Sequence, residues 1–257
     1  MLDLPAVLTK NVAMRANYRL QRLYVPDDLA QGSRVVLSRE QAHYLLTVLR
    51  LAEGAHVLVF NGRDGEFEAV VRPEGRKAAT LELESRSRPQ DPPTRLDFLF
   101  APLKVGRLDY LVQKATEMGA RTIRPVFTDH TQLHKVNMER IAANVIEAAE
   151  QCGNLAVPEL LPAERLDRVL AGWDATRRLI FCDESASGNN PSAILQAIEE
   201  RDLALLVGPE GGFSERERAE LRALPFVTAI PLGPRILRAD TAAVAAMAVV
   251  QMTIGDW

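Results

Sequence analysis

The chain has 257 residues, 47% hydrophobic and 25% charged, with a formal net charge of −3. That suits one large or two smaller domains with a real apolar core, and the charge gives no global signal for nucleic acid. No apolar run approaches the roughly 20 residues of a membrane helix, and the start lacks the basic and apolar regions of a signal peptide; no membrane attachment and a cytoplasmic location are expected. Cys152 and Cys182 are too few and too isolated for a disulfide framework or a zinc site.

Residues 1–17 read as a flexible leader. The next stretch, to residue 88, is rich in short strands: "YRLQRLYVP", "RVVLS", "HVLVFNG", "GEFEAVVRP" and "AATLELESR" alternate or run apolar. Asn61-Gly62 and Asp64-Gly65 mark a hairpin connection. One helix interrupts at "SREQAHYLLTVLRL", with Ser38 and Gln41 in capping-box spacing. A small β-barrel with one helix fits this pattern. The polar, proline-rich "SRSRPQDPPTR" supplies a linker, placed at 89–95.

From 96 to 257 the style changes to alternating strands and helices: "LDFLFAP", "GRLDYLVQKATEMGA", "TIRPVFT", "MERIAANVIEAAEQCG", "RRLIFCDE", "PSAILQAIEE", "LALLVGPE", "SERERAELRAL", "FVTAIPLG" and "DTAAVAAMAVVQM". Such alternation predicts an α/β domain with a parallel sheet covered on both faces. Residues 101–135 carry Lys104, Arg107, Lys114, Arg121, Arg124 and Lys135 against three acidic residues. On charge alone a solvated face is the simpler reading.

Ligands of open α/β sheets bind beyond the carboxyl ends of the strands. Three such ends carry unusual loops: Asp183-Glu184-Ser185, Gly208-Pro209-Glu210-Gly211-Gly212, and "PLGPRILRADTA". Glycines allow close backbone approach, and Pro209 and Pro234 stiffen the loops. With Leu232, Ile236 and Leu237 beside them, they suit a neutral, partly flat ligand such as an adenosine. A phosphate loop is the rival, but Glu210 stands where a lysine is wanted. Ser214 and Glu217 form a capping box that uses the helix amides an anion would need. No G-x-S-x-G is present, and His130 and His134 lack the glutamate of a zinc-protease helix; no metal site is expected. A tight turn, a nucleotide site and a binding module all remain open at this point.

With both loops placed, "LLVGPEGGFSERE" followed by "LGPRILRADTA" resembles the signature of the RsmE family, ribosomal RNA methyltransferases of the SPOUT superfamily. The resemblance also takes in "LKVGRLDYLVQKATEMGA", "EAAEQCGNLAVPE", "RLQRLYV" and the His43/Arg50 pattern, and spans nearly all of residues 18–257. It implies an N-terminal PUA-like RNA-binding barrel over 18–88 and a C-terminal SPOUT domain over 96–257. That domain is expected to hold a deep trefoil knot, which general rules on chain threading would reject. It further implies a homodimer, S-adenosyl-L-methionine as methyl donor, and methylation of N3 of a specific uridine in 16S rRNA. The substrate would be the 30S subunit or a late precursor.

Carried over by position, Gly208, Pro209, Glu210, Gly211 and Gly212, then Leu232, Gly233, Ile236, Leu237 and Arg238, fall in the cofactor loops. Arg22, His43, Arg50 and Lys114 fall on positions that could face RNA. Asn154 and Asp129-His130-Thr131 stand where relatives often carry positive charge, and Asp240 where many carry glutamate. Arg238 is the candidate cation for the uracil oxygens. Asp240 is the weaker candidate base, with helix N-capping as its competing role. Glu210 is expected to bond the amides of its own loop.

Overall fold

The computed structural model describes residues 19–75, 77–186, 188 and 190–257; the leader expected over 1–17 lies outside them. The chain forms two compact units that meet in sequence between Gln90 and Asp91. No helix among the described residues is long and apolar enough to cross a membrane.

The first unit is a five-stranded sheet of β1 (Arg22–Tyr24), β2 (Arg34–Val36), β3 (His56–Phe60), β4 (Glu66–Pro73) and β5 (Ala79–Arg88), in the order β1-β3-β4-β5-β2. β1 pairs parallel with β3 and the other pairs are antiparallel. Alternate residues Val57 and Val59, Ala69 and Val71, and Leu81 and Leu83 turn to one core, closed by Ala42 and Leu45. The β3–β4 connection is organised by Asn61, whose Oδ1 accepts from the amides of Arg63 and Asp64. Gly65, at φ +91°, is needed there, since a Cβ would stand 2.5 Å from the Arg88 carbonyl oxygen.

Both arms of the capping box at Ser38 and Gln41 form, opening α1 (Arg39–His43). The helix does not continue in α form, as its apolar face predicts, but widens into a π-turn over Tyr44–Val48. The β-branched pair Thr47-Val48 lies in that turn, and Arg50 follows at φ 55°.

The second unit carries a parallel sheet of β6 (Leu96–Phe100), β7 (Ala120–Phe127), β8 (Glu159–Leu160), β10 (Arg178–Cys182), β11 (Leu203–Val207) and β12 (Val227–Ile230). Its order is β12-β10-β11-β6-β7-β8, with β9 (Glu164–Arg165) also on β7. The helices are α2 (Val105–Glu117), α3 (Met138–Cys152), α4 (Leu166–Ala171), α5 (Ser192–Gln196), α6 (Glu215–Ala223) and α7 (Ala239–Ile254). Period-2 alternation divides the strands between two cores. Phe98, Phe100, Ile180, Leu205 and Val207 pack with α2, α3, α5 and α7; Leu99, Phe181 and Leu206 pack with Leu166 and Val169 of α4 and Leu221 of α6. This burial of both faces accounts for the continuous apolar runs of β6, β10 and β11. α3 ends on Gly153 in the left-handed region, at φ 74°. Because β11 and β12 both flank β10, the loops that leave these three strands converge at one end of the sheet.

Candidate functional site

Where those loops converge lies a cavity of about 260 Å³. Its walls are Asp183 and Glu184 after β10, residues of 207–213 after β11, and Pro231–Leu237 after β12, with Ala239 and Ala242 of α7 behind. The β11 loop turns tightly: the Gly212 amide donates to the Pro209 carbonyl at 2.9 Å, and Gly212 sits at φ +66°. The buried Phe213 ring then packs edge-on to Phe181 at 5.7 Å.

The helix after this loop has fewer amides to spare for an anion, because a capping box takes two of those at its head. Ser214 Oγ accepts from the Glu217 amide, while Glu217 Oε2 accepts from the Ser214 amide at 2.9 Å. The other oxygen of the buried Glu217 accepts from the Asp129 amide at 2.8 Å. The capping box therefore also joins the loop after β7 to the head of α6. Asp129 in turn accepts from Ser214 Oγ at 2.7 Å and from Arg216 at 2.9 Å. The Ser214 hydroxyl first, and Arg216 after it, hold the Asp129 carboxyl below its usual range against the opposing effect of burial.

Acidic groups around the cavity have arginine partners. Arg218 donates to Glu184 Oε1 at 3.0 Å, and Arg222 Nε donates to Asp183 Oδ2 at 3.0 Å. Burial alone would raise the Asp183 carboxyl, but hydrogen bonds from Ser185 and Arg222 outweigh it and the net shift is downward. Beside it, burial and then the Asp183 charge push the Cys182 thiol up to about 12, so the thiol itself is uncharged. Arg107 of α2 reaches the β11 loop and the head of α7: its Nη1 is 3.4 Å from Glu210 Oε1 and its Nε is 4.0 Å from Asp240 Oδ2.

Of the ten residues placed in the cofactor loops by sequence, Gly208, Pro209, Glu210, Gly212, Leu232, Gly233, Ile236 and Leu237 line the cavity. Gly211 and Arg238 do not. Gly211 faces outward against His130, 3.4 Å from that Cβ to an added Cβ. Arg238 is 66% exposed and occupies the N-cap position of α7, its Nε 3.6 Å from Asp240 Oδ1. Asp240 is consequently inside the first turn and not the N-cap; its Oδ1 accepts from the Thr241 amide at 2.9 Å, and its charge there favours the helix dipole. The partner of Glu210 is Arg107 and not, as expected, the amides of its own loop.

The residues considered for RNA separate sharply. Arg22 is buried, with Nε donating at 2.9 Å to Glu66, itself 1% exposed and also bonded to Arg88 and Ser87; this is an internal ion pair, not an exposed phosphate contact. His43 and Arg50 are exposed. Lys114 is half-buried, bonded to Glu117 at 2.6 Å and lying 5.6 Å from the Tyr110 ring centre. Asn154 has a backbone role, donating to the Thr116 carbonyl and accepting from the Ala156 amide. His56, Glu68 and Glu84 bring potential metal-ligand atoms within 4.8 Å of one another, but as a surface group in which His56 Nδ1 already meets Glu68 at 2.8 Å.

Sequence reasoning missed Arg107 as a link between the β11 loop and the head of α7, Arg218 as a wall, and the Asp129-His130 brace. All three depend on partners 34 to 103 residues away, which no local pattern signals.

A parallel α/β unit whose strand-end cavity is walled by glycine and proline loops and contains no lysine defines a binder of a small organic ligand held largely by backbone groups and shape. Comparison with known proteins narrows that class. Residues 90–251 match the RNA methyltransferase domain, and residues 37–84 match the RNA methyltransferase PUA domain. The chain belongs to the RNA methyltransferase family. It is 31% identical over 236 residues to ribosomal RNA small subunit methyltransferase E of Rickettsia conorii, covering 91% of this chain and 96% of the relative. The Bacillus subtilis protein of the same name is 27% identical, covering 90% and 96%. Among solved structures, the Neisseria gonorrhoeae ribosomal RNA small subunit methyltransferase E, bound to S-adenosyl methionine, superposes with a TM-score of 0.83 at 26% identity, covering 93% of this chain and 99% of that one. A Legionella pneumophila protein in complex with the bound cofactor SAM gives 0.80 at 31% identity, covering 93% and 100%.

Proposed function

We propose that this protein transfers a methyl group from S-adenosylmethionine to N3 of a specific uridine in 16S rRNA, acting in the cytoplasm on the 30S subunit or a late precursor. The observation that carries this reading is the cavity at the ends of β10, β11 and β12, in a chain that superposes over 93% of its length on a small-subunit methyltransferase solved with that cofactor. The lining fits the donor. Gly208, Gly212 and Gly233 offer close backbone approach; Pro209, Leu232 and Leu237 offer apolar surface for a purine; and Asp183 and Glu184 offer acceptors for ribose hydroxyls.

When bound, the donor supplies an electrophilic methyl group. The chain must hold the uracil in line with it and accommodate the loss of the N3 proton. Arg238 is placed to help with that proton loss. Its Nε faces Asp240, and its other guanidinium nitrogens form no ion pair among the described residues. A guanidinium edge on a uracil oxygen stabilises the charge that develops as N3 is deprotonated. Asp240, 7% exposed and facing both Arg238 and Arg107, orients these cations and is the weaker candidate, as proton acceptor. Alignment by the two loops supplies much of the remaining rate.

The N-terminal unit would position RNA through exposed cations such as Arg50. A trefoil crossing of the 208–212 and 231–238 segments belongs to the same reading: after β12 at the sheet edge, α7 returns to pack on α2 and β11. So does a homodimer, since α7 carries Val244, Ala248 and the 75% exposed Met252 outside its buried face. Incubation with unmodified 30S subunits and methyl-labelled donor, followed by mass-spectrometric mapping, should place one methyl group on one uridine. Unlabelled 16S rRNA would overturn the assignment.

A further inference from the structure

The loop after β7 does not line the cavity, yet it is fastened to the cofactor loop at several points. His130 Nδ1 lies 3.0 Å from the Gly211 carbonyl oxygen and 3.2 Å from that of Gly212. A carbonyl can only accept, so Nδ1 carries the proton and donates to both. The imidazole covers the outer side of Gly211, which is the loop residue turned away from the cavity. Behind it, Asp129 is held by Ser214, Arg216 and the Glu217 carboxylate, and Thr131 Oγ1 accepts from the Thr128 amide at 2.8 Å. The imidazole therefore projects from a loop that is itself fixed.

The direction of the peptide planes gives this contact a consequence. No peptide bond in the described chain is cis, so each carbonyl points opposite to the following N–H. With the Gly211 carbonyl turned to His130, the Gly212 amide faces the other way, where it closes the turn onto Pro209. With the Gly212 carbonyl turned to His130, the Phe213 amide is directed away from the imidazole, on a stretch where Gly212 and Phe213 both line the cavity. Gly212 has no side chain to limit rotation of these planes, so an external clamp is what sets them.

We infer that His130 is a positioning residue for the methyl donor: by holding the Gly211 and Gly212 carbonyls outward, it fixes the amide face and shape of the cavity wall without touching the ligand. The inference rests on the cofactor reading above.

The test compares His130→Ala, His130→Asn and His130→Asp in the full chain. Asparagine and aspartate have nearly the same shape, but only asparagine can donate from the Nδ1 position. Calorimetric titration of S-adenosylmethionine should show His130→Ala weaker by about 3- to 10-fold, the net loss of one hydrogen bond. His130→Asn should bind within about twofold of wild type, and His130→Asp at least as weakly as His130→Ala. In turnover the loss should appear in KM for the donor, with kcat retained at saturation. Amide hydrogen exchange without ligand should quicken over residues 208–214 in the alanine and aspartate variants and not in the asparagine one. Equal behaviour of asparagine and aspartate, or unchanged exchange and affinity in His130→Ala, overturns the role. Wild-type protein that binds no S-adenosylmethionine, with the exchange pattern as expected, refutes the cofactor reading and leaves the clamp as a loop brace only, which also overturns its role toward the donor.

Discussion

Replacement of Gly208 by alanine provides a sharp test of how the cofactor loop is built. Gly208 lies outside the left-handed region, so alanine brings no backbone penalty there, and the effect comes from space alone. An added Cβ would sit 2.9 Å from Phe213 Cε2 and 3.2 Å from both Cδ2 and Cζ. The ring has little freedom to give way: Phe213 is 3% exposed, stands edge-on to Phe181, and shares a core with Leu99 and Leu221. Overpacking of one methyl group against a fixed ring costs about 1–3 kcal/mol. If the core bears the strain, the melting temperature falls by roughly 2–12 °C for a domain of this size. If the loop bears it instead, the wall moves into the cavity, and each ~1.4 kcal/mol weakens S-adenosylmethionine binding about tenfold. Thermal denaturation and calorimetric titration on the same preparation read both outcomes. The double variant Gly208→Ala/Phe213→Leu, which trims the obstructing ring, should recover part of whichever quantity was lost. Wild-type melting temperature together with wild-type affinity in Gly208→Ala would falsify the assigned loop packing.

Arg238→Ala should lower methyl transfer to 30S subunits by at least about tenfold while binding the donor normally, because Arg238 does not line the cavity; a parallel loss of donor affinity in titration would contradict that placement. Asp129→Asn should destabilise the protein at neutral pH. The Asp129 carboxyl is depressed in the fold, so its contribution is full above its ordinary value and disappears as pH falls through the folded value, closing the gap in melting temperature below about pH 4. Glu66→Ala should cost about 1–3 kcal/mol in chemical denaturation, since it removes the buried carboxylate that accepts hydrogen bonds from Arg22, Ser87 and Arg88. Arg50→Ala should leave stability nearly unchanged and reduce the salt dependence of RNA binding by about one unit of slope in filter-binding assays.

The strands and the longer helices are legible in the sequence because burial imposes a period. Leu108, Leu111, Val112 and Ala115 fall on one face of α2 and are buried, and "LALLV" is buried at every position. Elements too short to show a period are not legible: β8 and β9 have two residues each, and α4 has six with no side-chain cap. The glycine loop is visible as a motif, but which of its glycines faces inward is decided by His130, 81 residues upstream of Gly211. Arg22 shows the same limit in the first unit. It alternates with Leu23 and reads as solvent-facing, yet the pairings of Tyr24 with Phe60 and of Phe60 with Glu66 bring Glu66 to it and bury both. That register is set by three strands together and is absent from any one of them.

The distribution of charge around the cavity explains why a loop with glutamate in place of lysine can still bind a ligand. Glu184 meets Arg218, Asp183 meets Arg222, Glu210 meets Arg107, Asp129 meets Arg216 and Asp240 meets Arg238. Each arginine belongs to a helix or its cap, and each carboxylate to a strand-end loop or, for Asp240, to the first turn of α7, so the pairs act as struts between layers. The cavity's carboxylates are paired and the Cys182 thiol is neutral, and no lysine stands where a phosphate loop would place one. Glu217 occupies the Ser214 amide at the head of α6, and Ser214 Oγ that of Glu217, so fewer helix amides are left for a phosphate. Recognition falls to backbone groups, apolar side chains, shape and the acceptors of Asp183 and Glu184, which favour an adenosine over a nucleotide phosphate. Glu210 fits this scheme as a strut: its link to α2 through Arg107, which also faces Asp240, ties the β11 loop and the head of α7 to one helix. The electrostatic attraction for RNA, the polyanionic second substrate, is then drawn from cations that are not tied up in these struts, such as the exposed Arg50 and the cavity-rim Arg235.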